Sequence, residues 1–242
     1  MKRDRTANQP FPTTRWTLIT RVAGGDDARK AEALEELCRI YWPPVYAFIR
    51  SKGASPTDAE DLTQGFFAEF LRREDFGKAQ SERGNLRSFI LKSVQNFMAN
   101  DWRDRKRLKR GGEARLLSID VDGSDGRSII LEPEDNTTPE IIFQRQWALS
   151  VLHRVVECLR ERYVAKGRGD LFEALKFVIN TNQPDRSYSE IANEFGMKEG
   201  AVKMAAHRLR ERYGRLLKET IADTLVEGSD VDEELRELMN AF

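Results

Sequence analysis

Apolar residues recur along the chain with the 3.6-residue period of amphipathic helices, and no alternating pattern of useful length indicates strands. The first apolar stripe lies in residues 29–51, where Pro43-Pro44 predicts a kink or a break. The second begins at a clear signal, because Ser55 suits the N-cap, Pro56 the first helical position and Asp58 a capping box. Further helices are expected at about 56–73, 86–107, 140–163, 171–178 and 199–225.

The composition of residues 111–139 separates two helical regions. This stretch follows Gly111-Gly112 and is rich in Asp, Glu, Gly, Ser, Thr and Pro, which predicts an acidic, flexible linker. We therefore expect an all-α protein with two small helical domains. The predicted segments are an N-terminal extension with a short helix (1–28), a first domain (29–110), the linker (111–139), a second domain (140–225) and an acidic amphipathic tail (226–242).

Composition excludes several classes of protein. No stretch approaches the roughly 20 apolar residues of a membrane span, and the N-terminus is polar, so we expect a soluble, unexported, cytoplasmic protein without membrane insertion. Cys38 and Cys158 lie among apolar residues and are expected to be reduced core thiols. Isolated His153 and His207 predict no metal site, and we expect no cofactor. The absence of a phosphate loop, a nucleophile elbow and a carboxylate–histidine constellation argues against an enzyme.

The formal net charge is zero, but the charges are segregated. Residues 86–110 carry eight Lys/Arg against two Asp, and residues 197–218 carry seven against two Glu. Residues 118–140 hold seven acids and one Arg, and residues 219–242 hold eight acids and one Arg. Since charges act over a Debye length of ~8 Å, the two basic blocks predict polyanion-binding surfaces despite the neutral sum.

Residues 188–203 have the spacing of a helix-turn-helix. Ala192 is small where two helices cross, Gly196 supplies a positive φ in the turn, and Val202 packs the second helix back on the first. The second helix of such motifs enters the major groove of DNA. Its candidate contacts are Lys198, Glu199, Lys203, His207, Arg208 and Arg210, with Lys203 and Arg208 nearest the bases and Arg210 and Arg212 as phosphate contacts or surface charges. Met204 could touch a thymine methyl, but we interpret it as a core residue.

Residues 86–110 combine aromatic, amide and basic side chains on one helix, as expected of a groove that holds unstacked bases. Together with Leu34–Gly53 and the run Asp58-Ala59-Glu60-Asp61-Leu62-Thr63-Gln64, they resemble region 2 of bacterial extracytoplasmic-function (ECF) sigma factors of the sigma-70 superfamily. Residues 187–217, including Glu199-Gly200-Ala201-Val202-Lys203, resemble region 4 of that family. The resemblance covers roughly residues 15–110 and 140–225.

This resemblance implies a sigma subunit, which binds core RNA polymerase and directs promoter recognition, −10 melting and initiation on the nucleoid. It implies contact of region 2 with the β′ clamp helices and of region 4 with the β flap and the −35 element of promoter DNA. The implied polymerase-binding residues are Asp58, Glu60, Asp61, Gln64 and Phe67. The implied −10 residues are Phe76, Arg87, Asn96, Asn100, Trp102, Arg103, Arg105, Lys106 and Arg107. An anti-sigma factor or other regulator is not identifiable from the chain.

The chain departs from the family in four places. Gly65 stands where relatives often carry an acid, and the segment before the helix-turn-helix is enlarged. The N-terminal segment Thr13-Thr14-Arg15-Trp16 and the acidic tail after Glu219 extend beyond a minimal family member. Two regulatory hypotheses arise from the sequence. The tail could fold onto the basic face of residues 197–218 or simply complete a domain core, and Thr63, beside the acidic helix, could be a phosphorylation site.

Two other classes of function compete with a sigma subunit. A one-component helix-turn-helix regulator, with residues 1–140 as a sensor, explains the DNA-binding motif but leaves the acidic run and the basic helix as coincidence. An enzyme explains neither. Binding of promoter duplex by the protein alone, or only with core polymerase, distinguishes the first two classes.

Overall fold

The computed structural model describes residues 27–72, 85–108, 137–180, 186–225 and 229–242, without the side chains of 27–34, 71, 104–108 and 180. Within these ranges all regular structure is helical, which confirms the predicted all-α class. The helices are α1 (Asp27–Ser51), α2 (Pro56–Arg72), α3 (Leu86–Leu108), α4 (Pro139–Val164), α5 (Gly169–Leu175), α6 (Phe177–Asn180), α7 (Tyr188–Glu194), α8 (Glu199–Ala222) and α9 (Val231–Met239).

The chain forms two compact units whose limits differ from the segments expected from composition. The first unit contains α1–α3, the start of α4 as far as Ser150, and the residues from Ala222 to Phe242. The second unit spans Val151–Ile221. The first turns of α4 and the C-terminal tail therefore belong with the first helices of the chain.

Burial explains why the start of α4 belongs to the first unit. Phe143 and Trp147 are fully buried, and the Phe143 ring meets that of Phe48 edge to face at 6.5 Å between centroids. The guanidinium carbon of Arg87 lies 4.7 Å from the centre of the Trp147 ring. Composition could not show this, because the sequence around Phe143 carries the same helical period as the rest of α4.

Helix α1 continues through Pro43 and Pro44, so the predicted break is wrong. A proline inside a helix costs about 3 kcal/mol, because it removes a hydrogen bond and crowds the preceding turn. Around this point Tyr41, Val45 and Phe48 are all completely buried. Each buried large apolar side chain contributes about 1.5–3 kcal/mol, so tertiary packing offsets the local penalty.

Helices α2 and α3 pack through an aromatic cluster centred on Phe66. Its ring centroid lies 5.2 Å from that of Phe70 and 5.7 Å from that of Phe97 on α3. Phe89 of α3 adds a further contact with Phe70 at 5.9 Å. Phe66 and Phe70 therefore define the inner face of α2, and the opposite face of this helix is exposed.

The second unit is built on the C-terminal part of α4 and on helices α5–α8. Gly167, with φ of +65°, ends α4, and the Arg168 amide donates back to the Tyr163 carbonyl at 2.9 Å. Tyr163 then packs on Phe172 at 5.5 Å. The core of this unit is formed by Val151, Val155, Leu159, Leu171, Leu175, Val178, Ile191, Ala192, Val202, Ala206, Leu209, Leu216 and Ile221.

The two cysteines form no disulfide, and Cys158 is buried. Cys38 is half-buried, and its burial raises the pKa of the thiol to about 11. The thiolate of Cys38 is therefore scarce at neutral pH, as expected of a structural thiol. Among the described helices, none has the length and apolar character that crossing a membrane requires.

Candidate nucleic-acid interface

Helix α2 presents an acidic face because its start is fixed by a local cap. The amide of Asp58 donates to the Ser55 hydroxyl at 3.1 Å, and that hydroxyl donates to the Asp58 carboxylate at 2.6 Å. Ala59 and Leu62 then turn toward the core. The outer face carries the exposed carboxylates of Asp58, Glu60 and Asp61, and half-buried Gln64 follows one turn later.

The inner face of α2 corrects two expectations. Phe67 is 3% exposed and stacks on Trp42 at 5.6 Å between ring centroids, so it is a core residue and not an exposed contact. Thr63 is fully buried and donates to the Ala59 carbonyl at 2.6 Å, which contradicts its use as a phosphorylation site in this structure. A side chain at Gly65 would meet Phe97 at 3.5 Å, so this position points inward and lies off the acidic face.

The C-terminal half of α3 carries the exposed polar and aromatic side chains of the first basic block. Asn96, Asn100 and Arg103 are exposed, and Trp102 is 63% exposed. Arg103 donates to the Asn100 side-chain oxygen at 3.2 Å, which holds the amide toward the basic end of the helix. The backbone of Arg105, Lys106 and Arg107 is helical, but their side chains lie outside the described set, as does Phe76 altogether.

Arg87, at the start of α3, is not part of this exposed surface. Its guanidinium pairs with Glu234 at 3.0 Å and with Glu237 at 2.6 Å, and the residue is 6% exposed. The expected phosphate contact by Arg87 is therefore contradicted, because the chain returns from a distance of about 150 residues to cover it. No local pattern of residues indicated this pairing, since acidic residues occur in many segments of the chain.

The acidic tail docks on the first unit through several contacts besides this ion pair. The Asn85 side chain donates to Glu234 at 3.1 Å, the Leu86 amide donates to the Thr224 carbonyl at 3.1 Å, and Arg145 donates to the Ala241 carbonyl at 3.0 Å. Leu238 is completely buried. These contacts agree with the alternative in which the tail completes a domain core. They do not support the hypothesis that the tail covers the basic face of residues 197–218.

Burial raises the pKa of the Glu234 carboxyl, although the Arg87 guanidinium beside it acts in the opposite direction. The side chains of Glu234 and Arg87 are only 6% and 7% exposed. Both charges have therefore lost most of their hydration, and each depends on the other for compensation.

The second unit contains a helix-turn-helix formed by α7 and α8. Ser187 caps α7 in a complete capping box, in which the Glu190 amide donates to the Ser187 hydroxyl at 3.2 Å and the Ser187 amide donates to the Glu190 carboxylate at 2.7 Å. The backbone hydrogen bond from Ser187 lowers the pKa of Glu190. Gly196 has φ of +61°, as the turn requires, and Ala192 and Val202 are buried.

The exposed side of α8 carries the second basic block, and part of its charge is engaged within the helix. Lys203 pairs with Glu199 at 2.7 Å, which raises the pKa of the Lys203 ammonium, and His207 lies 3.6 Å from Glu211. Lys198 and Arg208 are exposed, and the structure gives Arg208 no ion pair with any described residue. Arg208 is therefore the cation of the helix centre most available to DNA.

Two other arginines of α8 make hydrogen bonds to other helices of the second unit. Arg210 donates to the Val178 carbonyl at 3.3 Å, and Arg212 donates to the Tyr163 hydroxyl at 3.2 Å. The Arg212 guanidinium also lies 5.8 Å from the centre of the Tyr163 ring. Although both remain exposed in part, their polar heads are directed to protein partners, unlike the phosphate contacts or surface charges predicted for them.

Met204 is the residue of this helix that sequence reasoning placed wrongly. It is 52% exposed and is not a core residue. It borders an open groove of about 490 Å³ lined by Arg168, Leu171, Met197, Ala201, Met204, Ala205 and Arg208. Its position three residues after Ala201 and four before Arg208 could have indicated a shared exposed face, because buried Val202, Ala206 and Leu209 define the opposite one.

Among the described residues, no group of three or more His, Cys, Asp or Glu side chains is placed to hold a metal ion. The fold and exposed side chains instead define an all-α protein with a helix-turn-helix and a separate unit that carries one acidic and one basic helical surface.

Comparison with known families is specific for the first of these units. Residues 37–108 match the family Sigma-70 region 2, a stretch that contains most of α1 and all of α2 and α3. The match shows that this part of the chain is similar to region 2 of sigma-70 factors, which supports a role in transcription initiation. No curated protein matches the chain.

Proposed function

We propose that this protein is a bacterial sigma factor of the ECF type, which acts in the cytoplasm. In this proposal the exposed face of α2 binds the β′ clamp helices of core RNA polymerase and the exposed end of α3 receives the −10 element. The helix-turn-helix of the second unit reads the −35 element. The observation that carries the proposal is the exposed acidic face of α2 within a region 2 match, in the same chain as a helix-turn-helix.

The acidic face suits a basic protein partner more than a structural role. Capping and the helix dipole account for Asp58 at the start of α2, where a carboxylate is favourable. They account less well for Asp61, which lies beyond the first turn, is exposed and has no ion pair with a described residue. A carboxylate kept in water at that place contributes little to folding, so its use in binding is the simpler explanation.

The end of α3 supports a role in opening DNA. Extrusion of a base from the duplex costs a few kcal/mol of stacking and pairing, which contacts with the extruded strand must return. Exposed Asn96 can hydrogen-bond a base edge, and exposed Trp102 offers a ring for stacking. Arg103, one residue further on, offers charge for the backbone.

The polymerase contact is tested by charge reversal at Asp61. Purified Asp61→Lys protein should bind core RNA polymerase at least tenfold more weakly than the wild type, since placing like charges opposite each other across an interface costs several kcal/mol and about 1.4 kcal/mol is tenfold in affinity. The matched control is Glu219→Lys, an equal change of charge at another exposed helical acid. Both variants should keep the wild-type circular dichroism. Equal binding by the two variants would contradict the role of α2.

The opening role is tested by Asn96→Ala in reconstituted holoenzyme. Permanganate reactivity of −10 thymines should fall several-fold, while binding to a duplex that carries only the upstream element should stay unchanged. Asn240→Ala removes an exposed amide outside α3 and serves as the control. Equal losses of opening and of upstream binding would show that Asn96 does not lie at the base-binding site.

The competing one-component regulator makes a different prediction for the free protein. Such a regulator binds promoter duplex without polymerase, and its affinity does not change when core enzyme is added. Gel shifts with the protein alone and with core RNA polymerase therefore separate the two proposals before any variant is made.

A further inference from the structure

We propose that Met204 reads the C5-methyl group of a thymine in the upstream promoter element. This inference rests on the proposed function, since it takes the helix-turn-helix as the reader of that element. It adds the chemical feature that the reader recognises, which is a methyl group in the major groove at a position facing the second turn of α8.

The exposure of Met204 is the first observation behind this inference. Its side chain is 52% exposed, whereas Val202 and Ala206 on the opposite side of the helix are at most 3% exposed. The core of the second unit therefore gains little from a methionine at this position. A large apolar side chain on the outer face of a recognition helix gains most when a partner covers it.

The residues around Met204 allow DNA to come close to the helix backbone. Gly200 has no side chain, and a Cβ placed there would meet nothing within 4 Å. Ala201 and Ala205 flank Met204 along the groove and end at Cβ. Met204 is thus the longest apolar side chain of this stretch, and its flexible thioether can adapt to the edge of a base.

The polar neighbours of Met204 are less suited to reading bases directly. Lys203 is paired with Glu199, and His207 lies beside Glu211, so each would have to leave a partner before contacting a base. Thymine is the base that presents an apolar group in the major groove. Because Met204 is apolar and the polar side chains of Lys203 and His207 beside it already have partners, we expect thymine at the base pair that faces Met204.

The charges on the rim favour DNA over a protein helix as the occupant of this face. The groove beside Met204 is bordered by Arg168 and Arg208 at its polar edge, and both residues are exposed. Residues 197–218 carry seven Lys/Arg against two Glu. A phosphate backbone satisfies such an edge, since Arg and Lys side chains are among the usual hydrogen-bond donors to phosphate in protein–DNA contacts.

The experiment replaces each thymine of the upstream element, on either strand, by deoxyuridine, which removes only the methyl group. Binding of holoenzyme to each duplex is measured with promoters mapped for the wild-type protein. At one or two neighbouring positions the wild type should lose about fourfold in affinity, the value expected for one buried methyl. The Met204→Ala variant should bind the unmodified duplex about fourfold more weakly and be insensitive to deoxyuridine at those positions.

Two further variants make the test specific. Met204→Leu retains an apolar side chain and should keep the sensitivity to deoxyuridine. Met239→Ala removes another exposed methionine, from α9, and should behave as wild type. A wild type that is insensitive to deoxyuridine at every position would overturn this inference alone. So would a Met204→Ala variant that loses affinity for core polymerase without DNA, because Met204 would then face a protein. Absence of all sequence-specific promoter binding would overturn the proposed function as well.

Discussion

Arg87 and Arg208 belong to the two basic blocks of the chain, but they differ in burial and in ion pairing. Arg87 is 6% exposed and is paired with Glu234 and Glu237 of α9. Arg208 is exposed and has no ion pair with a described residue. The two blocks looked alike as sequence, since both place many cations on an amphipathic helix.

The difference teaches how far a local charge count can be used. A block of cations predicts a surface field only where no distant segment folds back on it. In the first unit α9 covers the start of α3 and neutralises Arg87, whereas Asn100, Trp102 and Arg103 further along that helix remain exposed. In the second unit the acids near the exposed cations are one helical turn away and remain in water.

The largest predicted effect concerns the buried pair. Arg87→Ala should lower the free energy of unfolding of the full chain by about 3–5 kcal/mol, because it leaves the Glu234 carboxylate buried without its cation. Urea unfolding followed by circular dichroism measures this change. Replacement of both partners, Arg87→Met with Glu234→Leu, should restore much of the loss, since no uncompensated charge then remains.

The control for Arg87 is an exposed pair in the same unit. Arg39→Ala removes the partner of Glu35, in a pair whose side chains are 52% and 63% exposed, and should cost less than about 0.5 kcal/mol. The pKa of Glu234 is already raised by burial and should rise further in Arg87→Ala. The folded variant then holds its proton more tightly than the unfolded chain, so its stability should fall as pH rises. A cost below about 1 kcal/mol for Arg87→Ala would contradict a stabilising role of the buried ion pair between α3 and α9.

An intermediate effect is predicted at the turn of the second unit. Gly196→Ala should destabilise this unit by about 1–2 kcal/mol, because φ of +61° is unfavourable for a residue with a Cβ. The cost is conformational, since a Cβ at this place would meet nothing within 4 Å. Gly200→Ala, in the first turn of α8 and equally open, is the control and should be neutral or stabilising. Equal stability of the two variants would show that the turn does not depend on its left-handed residue.

Local sequence signals were sufficient to predict much of the fold and part of the candidate site. The cap at Ser55, the turn at Gly196 and the helical period of α3 depend on residues a few positions apart, and they form as expected. Two of the wrong expectations depend on tertiary contacts. Pro43 is tolerated inside α1 because its neighbours are buried, and Arg87 is covered by residues about 150 positions later.

The acidic face of α2 shows the same division within a single helix. Its outward carboxylates follow from the cap and the helical period, whereas the inward orientation of Phe67 depends on Trp42 of another helix. The prediction that Met204 is a core residue is wrong for a different reason. It rests on the average burial of methionine, whereas buried Val202 and Ala206 place Met204 on the opposite, exposed face of the helix.

The smallest predicted effect is a titration in the second unit. The backbone hydrogen bond from Ser187 lowers the pKa of Glu190 below its ordinary value of 4.5. The capping box therefore stabilises the fold above that pH, and the contribution is lost as pH falls through the lowered pKa. Side-chain NMR should show the depressed pKa of Glu190. The Ser187→Ala variant removes the hydroxyl but keeps the backbone amide, so it should raise the pKa of Glu190 only part of the way to the ordinary value. A wild-type Glu190 that titrates at the ordinary value would contradict the capping box.

The central claim is that the acidic face of α2 and the two DNA-facing helices together direct polymerase to promoters. Run-off transcription with core RNA polymerase on genomic fragments tests it most directly, with the start sites mapped by sequencing. The account predicts transcripts from discrete start sites with the wild type, and their loss with Asp61→Lys but not with Glu219→Lys. Specific binding of the free protein to promoter duplex, with no initiation at any site when core enzyme is added, would contradict it.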